Sequence, residues 1–289
     1  MHDDVRRALE SLLGRRVVAH TARSGGYTAA RCWTVELDDR SRVFVKVATD
    51  DETTAGNRTE LIVLRGVACP HLPVLVAASD DATMIVVEDL ADAVWSPRPL
   101  PELDGFWEAV AAVGVLAAPP SLPLRPQGSG RDAWSGPLAD ARLPAALGVS
   151  AAWFERHGAA LVDASTSADT TGEQLVHGDL APGNWCRDRS GTWRFVDWAA
   201  AARGHPLIDD AIASIRLCRL DGETRSPRLA SRPDIVTLVA GRFAAELLGV
   251  DWSDAPPSAR ADRVADIRAG LRLAAQLLEL PDPLVDHAV

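Results

Sequence analysis

The sequence predicts a two-lobed α+β fold. Three features point to it: short apolar runs suited to strands fill the first 90 or so residues, apolar residues recur at helical spacing from about residue 101, and a proline- and glycine-rich stretch over 119–150 interrupts the second part. The expected organisation is an N-terminal lobe over residues 1–90, a five-stranded antiparallel sheet with one main helix, and a mostly helical C-terminal lobe over 91–289, with a cleft between them.

In chain order, an amphipathic pattern predicts a short helix over 4–13. Strands follow over 16–22, 29–37 and 42–48, the last two joined by the turn-like Asp38-Asp39-Arg40-Ser41. The main helix is expected next, with Thr53 or Thr54 as N-cap, Leu61, Leu64 and Val67 at helical spacing, and Pro70 and Pro73 ending it. Runs 74–78 and 83–88 read as a hairpin turning at Ser79-Asp80-Asp81. Phe106, Val110, Val113 and Leu116 share a helical face. Residues 119–150 predict a loop-rich connection with one short helix, and helices are expected over 151–164, 234–248 and 258–280. The polar, aperiodic segment 220–232 is expected to be mobile.

Composition excludes several classes. With 40 acidic and 30 basic residues, a net charge of −10, the chain lacks the basic surface that nucleic-acid binding needs. Cys32, Cys69, Cys186 and Cys218 form no C-x-x-C pair, so free thiols in a reducing cytoplasm are expected rather than a zinc site or disulfides. The start runs directly into an amphipathic pattern without a signal-type apolar core, and apolar stretches are too short or too interrupted to span a membrane. Nine tryptophans stand against one tyrosine, and core packing is their expected use.

One bias is informative. Lys46 is the only lysine among the 30 basic residues, and Val45 precedes it, so the Gly-Lys-Ser/Thr end of a Walker A phosphate loop is absent. Val43-Phe44-Val45-Lys46-Val47-Ala48 puts this ammonium in the third strand, on one face of the sheet. There it can pair with the α- and β-phosphates of a nucleotide if an acid holds it, and Glu60 in the next helix is the candidate. Upstream, Ser24-Gly25-Gly26-Tyr27-Thr28 lies between strands one and two, where glycines let backbone N–H groups approach phosphate and Ser24 or Thr28 adds a hydroxyl.

The second cluster is His177-Gly178-Asp179-Leu180-Ala181-Pro182-Gly183-Asn184, followed by a hairpin through Asp188-Arg189-Ser190-Gly191 that returns to Asp197-Trp198. Asp179 and Asn184 have the D-x-x-x-x-N spacing of the base and the metal-binding amide in kinase catalytic loops. Asn184 and Asp197 are oxygen donors suited to Mg²⁺, which takes few protein ligands and completes its shell with water and phosphate.

With these residues the chain resembles the aminoglycoside phosphotransferase family, a branch of the protein-kinase-like fold that phosphorylates hydroxyls of small molecules. The resemblance runs in order through Gly25-Gly26, Lys46, Glu60, the hinge-like Glu88-Asp89-Leu90, the loop His177 to Asn184, Asp197, and Gly204-His205-Pro206-Leu207-Ile208-Asp209. It implies ATP- or GTP-dependent phosphoryl transfer with Asp179 as base, Mg²⁺ on Asn184 and Asp197, a nucleotide base hung from the backbone of Glu88 to Leu90, and a catalytic loop supported by His177 and Asp209. Gly178 replaces the arginine of H-R-D, and only 11 residues separate Asp197 from Asp209, with no Ala-Pro-Glu, so no activation loop or peptide-docking segment fits and no protein substrate is expected. The expected acceptor is a small-molecule hydroxyl: an antibiotic of aminoglycoside type, or a sugar or amino alcohol of metabolism. The alternative from another class is a nucleotide-binding pseudokinase module, disfavoured because Lys46, Asp179, Asn184 and Asp197 are all present.

Lys46→Arg obeys the compositional bias but replaces a compact ammonium by a wide planar fork. Turnover in a phosphoryl-transfer assay is expected to fall by about a hundredfold; normal turnover would mark Lys46 as a survivor of the bias.

Overall fold

The computed structural model describes residues 1–23, 29–95, 103, 105–124, 133–253 and 255–285. Its contacts divide the chain into two units, Met1–Pro123 with His177–Ala202, and Leu124–Val176 with Arg203–Val289. Composition places its boundary after residue 90; contacts group 91–123 and 177–202 with the sheet as well.

The first unit opens with α1 (Asp3–Leu13), closed by Gly14 in the left-handed region. Then come β1 (Val17–Arg23), β2 (Arg31–Leu37), β3 (Arg42–Val47), α2 (Asp51–Gly66), β4 (Leu75–Ala78) and β5 (Met84–Glu88). The five strands form one antiparallel sheet in the order β1-β2-β3-β5-β4, the fold class the sequence predicts. Strand periodicity divides its residues between two faces. Trp33, Val35, Val43, Val45 and Val86 are buried with Leu9 of α1 on one face. On the other, the register sets Lys46 opposite Cys32 and Ile85, and Ile85 packs with Leu61 of α2.

The N-cap of α2 is Asp50, not Thr53 or Thr54. The Asp50 carboxylate accepts from the Thr53 N–H at 2.8 Å and the Thr53 hydroxyl accepts from the Asp50 N–H at 3.2 Å, a reciprocal capping box. Thr53 is thus the third residue of the first turn; an aspartate just upstream competes better for the cap. Beyond the sheet lie β6 (Val94–Trp95) and α3 (Phe106–Gly114), whose Phe106 ring contacts Trp107, Trp185, Trp193 and Phe195.

In the second unit are α4 (Ser135–Ala139), α5 (Arg142–Leu147), α6 (Ala151–Ser167) and β7 (Gln174–Val176). The expected connection over 119–150 therefore holds two short helices among its described residues rather than one. Back in the first unit, β8 (Trp185–Arg187) and β9 (Trp193–Phe195) make the predicted hairpin, joined by β6. β10 (Ala202–Gly204) pairs with β7, and α7 (Leu207–Asp221), α8 (Pro233–Gly249) and α9 (Pro257–Leu277) complete the second unit. Trp134 is fully buried and donates its indole N–H to the Thr237 carbonyl at 2.8 Å, the core role expected of the tryptophans.

Two features of this unit depart from expectation. Helix α7 has no readable period because every residue from Leu207 to Leu217 is buried, so polar and apolar residues do not segregate to opposite faces. The segment 220–232, expected to be mobile, is anchored: Ser226 is buried, its N–H donates to Ser214 Oγ at 2.8 Å, its hydroxyl donates to Asp210, and Leu229 is fully buried. The partners of Ser226 lie 12 and 16 residues away on α7, beyond what local polarity can show.

Burial pushes the Asp210 carboxyl up from its ordinary range, opposed by the Ser226 hydroxyl and by Arg228 at 3.3 Å. The folded state then holds the Asp210 proton more tightly than the unfolded state, so the contribution of Asp210 to stability is lost as pH rises from about 3.9 through the folded value. Asp210→Asn keeps an acceptor for Ser226 without the charge. It is expected to match or exceed the parent in urea midpoint at pH 7, with the difference closing near about pH 4; a deficit at pH 7 that disappears near pH 4 would reverse the sign.

Candidate functional site

Sheet alternation directs Lys46 toward α2, where its Nζ lies 3.0 Å from Glu60 Oε2 and 2.7 Å from Asp197 Oδ1. The Glu60 side chain is 6% exposed and that of Lys46 14%, whereas Asp197 is 43% exposed, so the triad is closed on the helix side and open at Asp197. Burial alone would lower the Lys46 pKa; Glu60 and Asp197 outweigh it and hold the ammonium above its ordinary value. Burial likewise works to raise the Asp197 carboxyl, and Lys46 more than reverses it, leaving Asp197 below the usual carboxylate range. The site therefore carries a permanent cation and an ionised acid at neutral pH. The Cys32 thiol, opposite Lys46 in the ladder, is pushed up to about 11, chiefly by burial, and stays protonated.

The segment after β7 makes a rigid turn. Gly178 adopts φ +84°, a conformation side-chain-bearing residues rarely take, which accounts for glycine at this point. Asp179 O accepts from the Ala181 N–H at 2.8 Å, and a 3₁₀ turn over Pro182–Asn184 follows. Asn184 Nδ2 donates to the Asp179 carbonyl at 2.8 Å and to Asp179 Oδ2 at 3.0 Å. The five-residue spacing is thus a ring closed by one amide, which orients the Asp179 carboxylate and reserves Asn184 Oδ1 as the free end of that amide.

The hairpin brings the next acid back. The Val196 N–H donates to the Asn184 carbonyl at 2.9 Å, and the Phe195 N–H to the His71 carbonyl at 2.8 Å. Asp197 then takes φ +63°, left-handed for a non-glycine residue, and the 3₁₀ turn Trp198–Ala200 begins. That local strain sits at the residue bonded to Lys46, where backbone strain commonly marks function.

His177 is buried and joins the two segments. The Asp179 N–H donates to its Nδ1 at 3.2 Å, so the ring proton lies on Nε2, which donates to the Val196 carbonyl at 2.9 Å. The ring also lies 4.4 Å from that of Trp198.

Other predicted positions fare differently. Ser24, Gly25, Gly26 and Thr28, with Tyr27, lie outside the described residues. The Glu88 carboxylate is engaged by Arg194 and by the Val74 N–H at 2.7 Å, and the Leu90 carbonyl accepts from the Ala93 N–H and from Trp95 Nε1, both at 3.0 Å. Asp209 is buried in the first turn of α7, in the second unit. The sequence reading did not single out His71 or Arg194. His71 Nδ1 donates to the Trp193 carbonyl at 2.8 Å, and Arg194 also pairs with Asp188 at 3.3 Å. The His71 partner is 122 residues away and the Glu88 partner of Arg194 106 away, so neither of these contacts carries a local signal.

The donors fit a hard cation. Asn184 Oδ1 and the half-exposed Asp197 carboxylate offer oxygen only, and among the described residues no group of three or more His, Cys, Asp or Glu side chains forms a metal cage. Such a sparse pair suits Mg²⁺ bound chiefly by its other ligands.

The His177 geometry requires a neutral ring protonated at Nε2. Nitrogen NMR is expected to show Nδ1 as the unprotonated, pyridine-type nitrogen at neutral pH. His177→Phe, which loses both bonds, should destabilise the protein by about 2 kcal/mol. A ring protonated on Nδ1 would contradict the bond to the Asp179 N–H.

No curated protein matches the chain in sequence. Among solved structures, LicA in complex with AMP aligns with a TM-score of 0.59 at 14% identity, over 96% of this chain and 99% of that one, and the choline kinase LicA from Streptococcus pneumoniae with a TM-score of 0.56 at 14% identity, over 94% and 98%. A thermostable mutant of aminoglycoside phosphotransferase APH(4)-Ia, in a ternary complex with AMP-PNP and hygromycin B, aligns with a TM-score of 0.59 at 18% identity, over 93% of this chain and 99% of that one. A macrolide 2'-phosphotransferase type I aligns with a TM-score of 0.53 at 19% identity, over 98% and 95%. These likenesses establish a protein-kinase-like fold. A model of the phosphotransferase enzyme family, APH, matches residues 20–234, well over half of the sequence, and the chain belongs to that family.

Proposed function

We propose that this protein moves the γ-phosphoryl group of ATP or GTP to a hydroxyl of a small molecule, with Mg²⁺ bound, and that an antibiotic of aminoglycoside type is its acceptor. The observations that carry this reading are the pairing of Lys46 with Glu60 and Asp197 and the Asp179 carboxylate oriented by Asn184. Structures with AMP and AMP-PNP in the same fold support a nucleotide co-substrate. Hygromycin B in one of them supports the antibiotic reading, and a choline kinase of the same fold makes an amino alcohol the competing acceptor.

In this reading Lys46, held by Glu60, grips the α- and β-phosphates, and the glycine segment with Ser24 and Thr28 adds backbone and hydroxyl contacts. The nucleotide base hangs from the backbone of Glu88 to Leu90. Asn184 and Asp197 would hold Mg²⁺, which supplies charge neutralisation on the phosphate oxygens. Asp179 accepts the acceptor hydroxyl's proton as its oxygen bonds to the γ-phosphorus, and the bond to the β–γ bridging oxygen breaks to release nucleoside diphosphate. His177 and Asp209 support the loop. Residues 1–90 would then serve nucleotide and the helical remainder the acceptor, in the cytoplasm where both are available. The shortness of the segment between Asp197 and Asp209 argues against a protein acceptor, and the acidic net charge against nucleic acid. Among the described residues no helix is long and apolar enough to cross a membrane.

A screen of phosphoryl transfer across antibiotics, sugars and amino alcohols tests the proposal. Transfer to an antibiotic is expected; transfer to an amino alcohol alone would move the assignment to metabolism, and nucleotide binding with no transfer would make the chain a binding module. Asp179→Ala should lower kcat by at least about a hundredfold while nucleotide still raises the melting temperature.

A further inference from the structure

Gly56 lies in the interior of α2, one turn before Glu60 and on the same face. Glycine is, after proline, the least favourable residue inside a helix, so its presence there calls for a steric reason. A Cβ built at position 56 would stand 3.2 Å from the Cβ of Ala199 and meet nothing else within 4 Å. Ala199 is two residues beyond Asp197, in the turn that leaves the strained Asp197 backbone. The two residues bonded to Lys46 are therefore carried by two elements that meet at this contact, and both elements belong to the first unit.

We propose that Gly56 is a positioning residue: the gap it leaves for Ala199 sets how near α2 comes to the Trp198–Ala200 turn, and so the geometry in which Glu60 and Asp197 share the Lys46 ammonium. The catalytic half of this inference rests on the phosphotransferase reading. A methyl group at position 56 must drive the two elements apart by a few tenths of an ångström before ordinary contact is restored. Glu60 moves with the helix and Asp197 with the turn, so the displacement reaches Lys46 from both sides. Shifts of this size in a phosphate-gripping cation suffice to slow a positioned reaction, since misplacement of about 1 Å costs about a hundredfold.

The test is a double-mutant cycle on the full chain with Gly56→Ala and Ala199→Gly, read in two ways. In kinetics with Mg²⁺ and nucleotide, Gly56→Ala is expected to lose about tenfold in kcat/KM and Gly56→Leu about a hundredfold, and the pair Gly56→Ala with Ala199→Gly should return to within about twofold of Ala199→Gly alone. In thermal unfolding, the helix-forming advantage of alanine over glycine should raise the melting temperature more when Ala199 is already glycine than when it is not. Gly56→Ala should therefore be less active without being less stable, which general destabilisation cannot produce. Absence of coupling in unfolding would overturn the contact. Coupling in unfolding with unchanged kinetics would reduce Gly56 to packing and overturn the positioning role. Wild-type protein that neither binds nucleotide nor transfers phosphate would overturn the phosphotransferase reading and the positioning role with it, while the unfolding cycle would still report the contact.

Discussion

The ammonium of Lys46 sits between the carboxylates of Glu60 and Asp197, and much of the first unit serves to hold it there. A lysine this enclosed would give up its charge without partners, and a glutamate as buried as Glu60 would be costly without a cation. Each makes the other tolerable. Removing one member of a buried pair leaves the other uncompensated, at a cost of about 3–5 kcal/mol. The sheet fixes Lys46 through its register between β2 and β5, and α2 fixes Glu60 through a capped first turn and an apolar face on Ile85. The hairpin of β8 and β9 fixes Asp197.

The asymmetry of the triad matters as much as its strength. Glu60 is shut away and binds only from the helix side, whereas Asp197 keeps much of its carboxylate surface open. The interaction is thus anchored at Glu60 and open at Asp197, the end that the proposed function assigns to an incoming cation. Neighbouring loops are built for stiffness. Gly178 takes a left-handed turn, Asn184 closes a ring onto Asp179, and His177 ties that ring to the strand leading to Asp197. Such rigidity keeps carboxylates with nearly identical intrinsic chemistry in separate environments.

Much of this was legible from residues alone because it rests on short-range rules. Strand periodicity placed Lys46 on one face of the sheet, and the spacing of Asp179 and Asn184 matched a loop whose closure needs only five residues. Where the rules are not local, legibility ended. Helix α7 is buried on all sides and shows no period, and the segment after it looked mobile because its anchors Asp210 and Ser214 belong to that unread helix. Asp50 took the cap of α2 from the threonines expected there, a competition between adjacent good caps that composition does not decide.

The sequence by itself determined the fold class, the family resemblance and Glu60 as the partner of Lys46, since periodicity and spacing are properties of the chain, whereas the contact of Asp197 with Lys46 was not among its readings. Tertiary structure decided which oxygen of which acid reaches the ammonium, that Asp197 adopts a left-handed backbone to do so, that Glu88 is engaged by Arg194, and that Gly56 admits Ala199. Lys46 and Asp197 are 151 residues apart, and contacts at that separation exist only once two surfaces have packed. Their distances are set by side-chain volume and backbone approach, quantities of which a linear sequence holds the parts but not the sum.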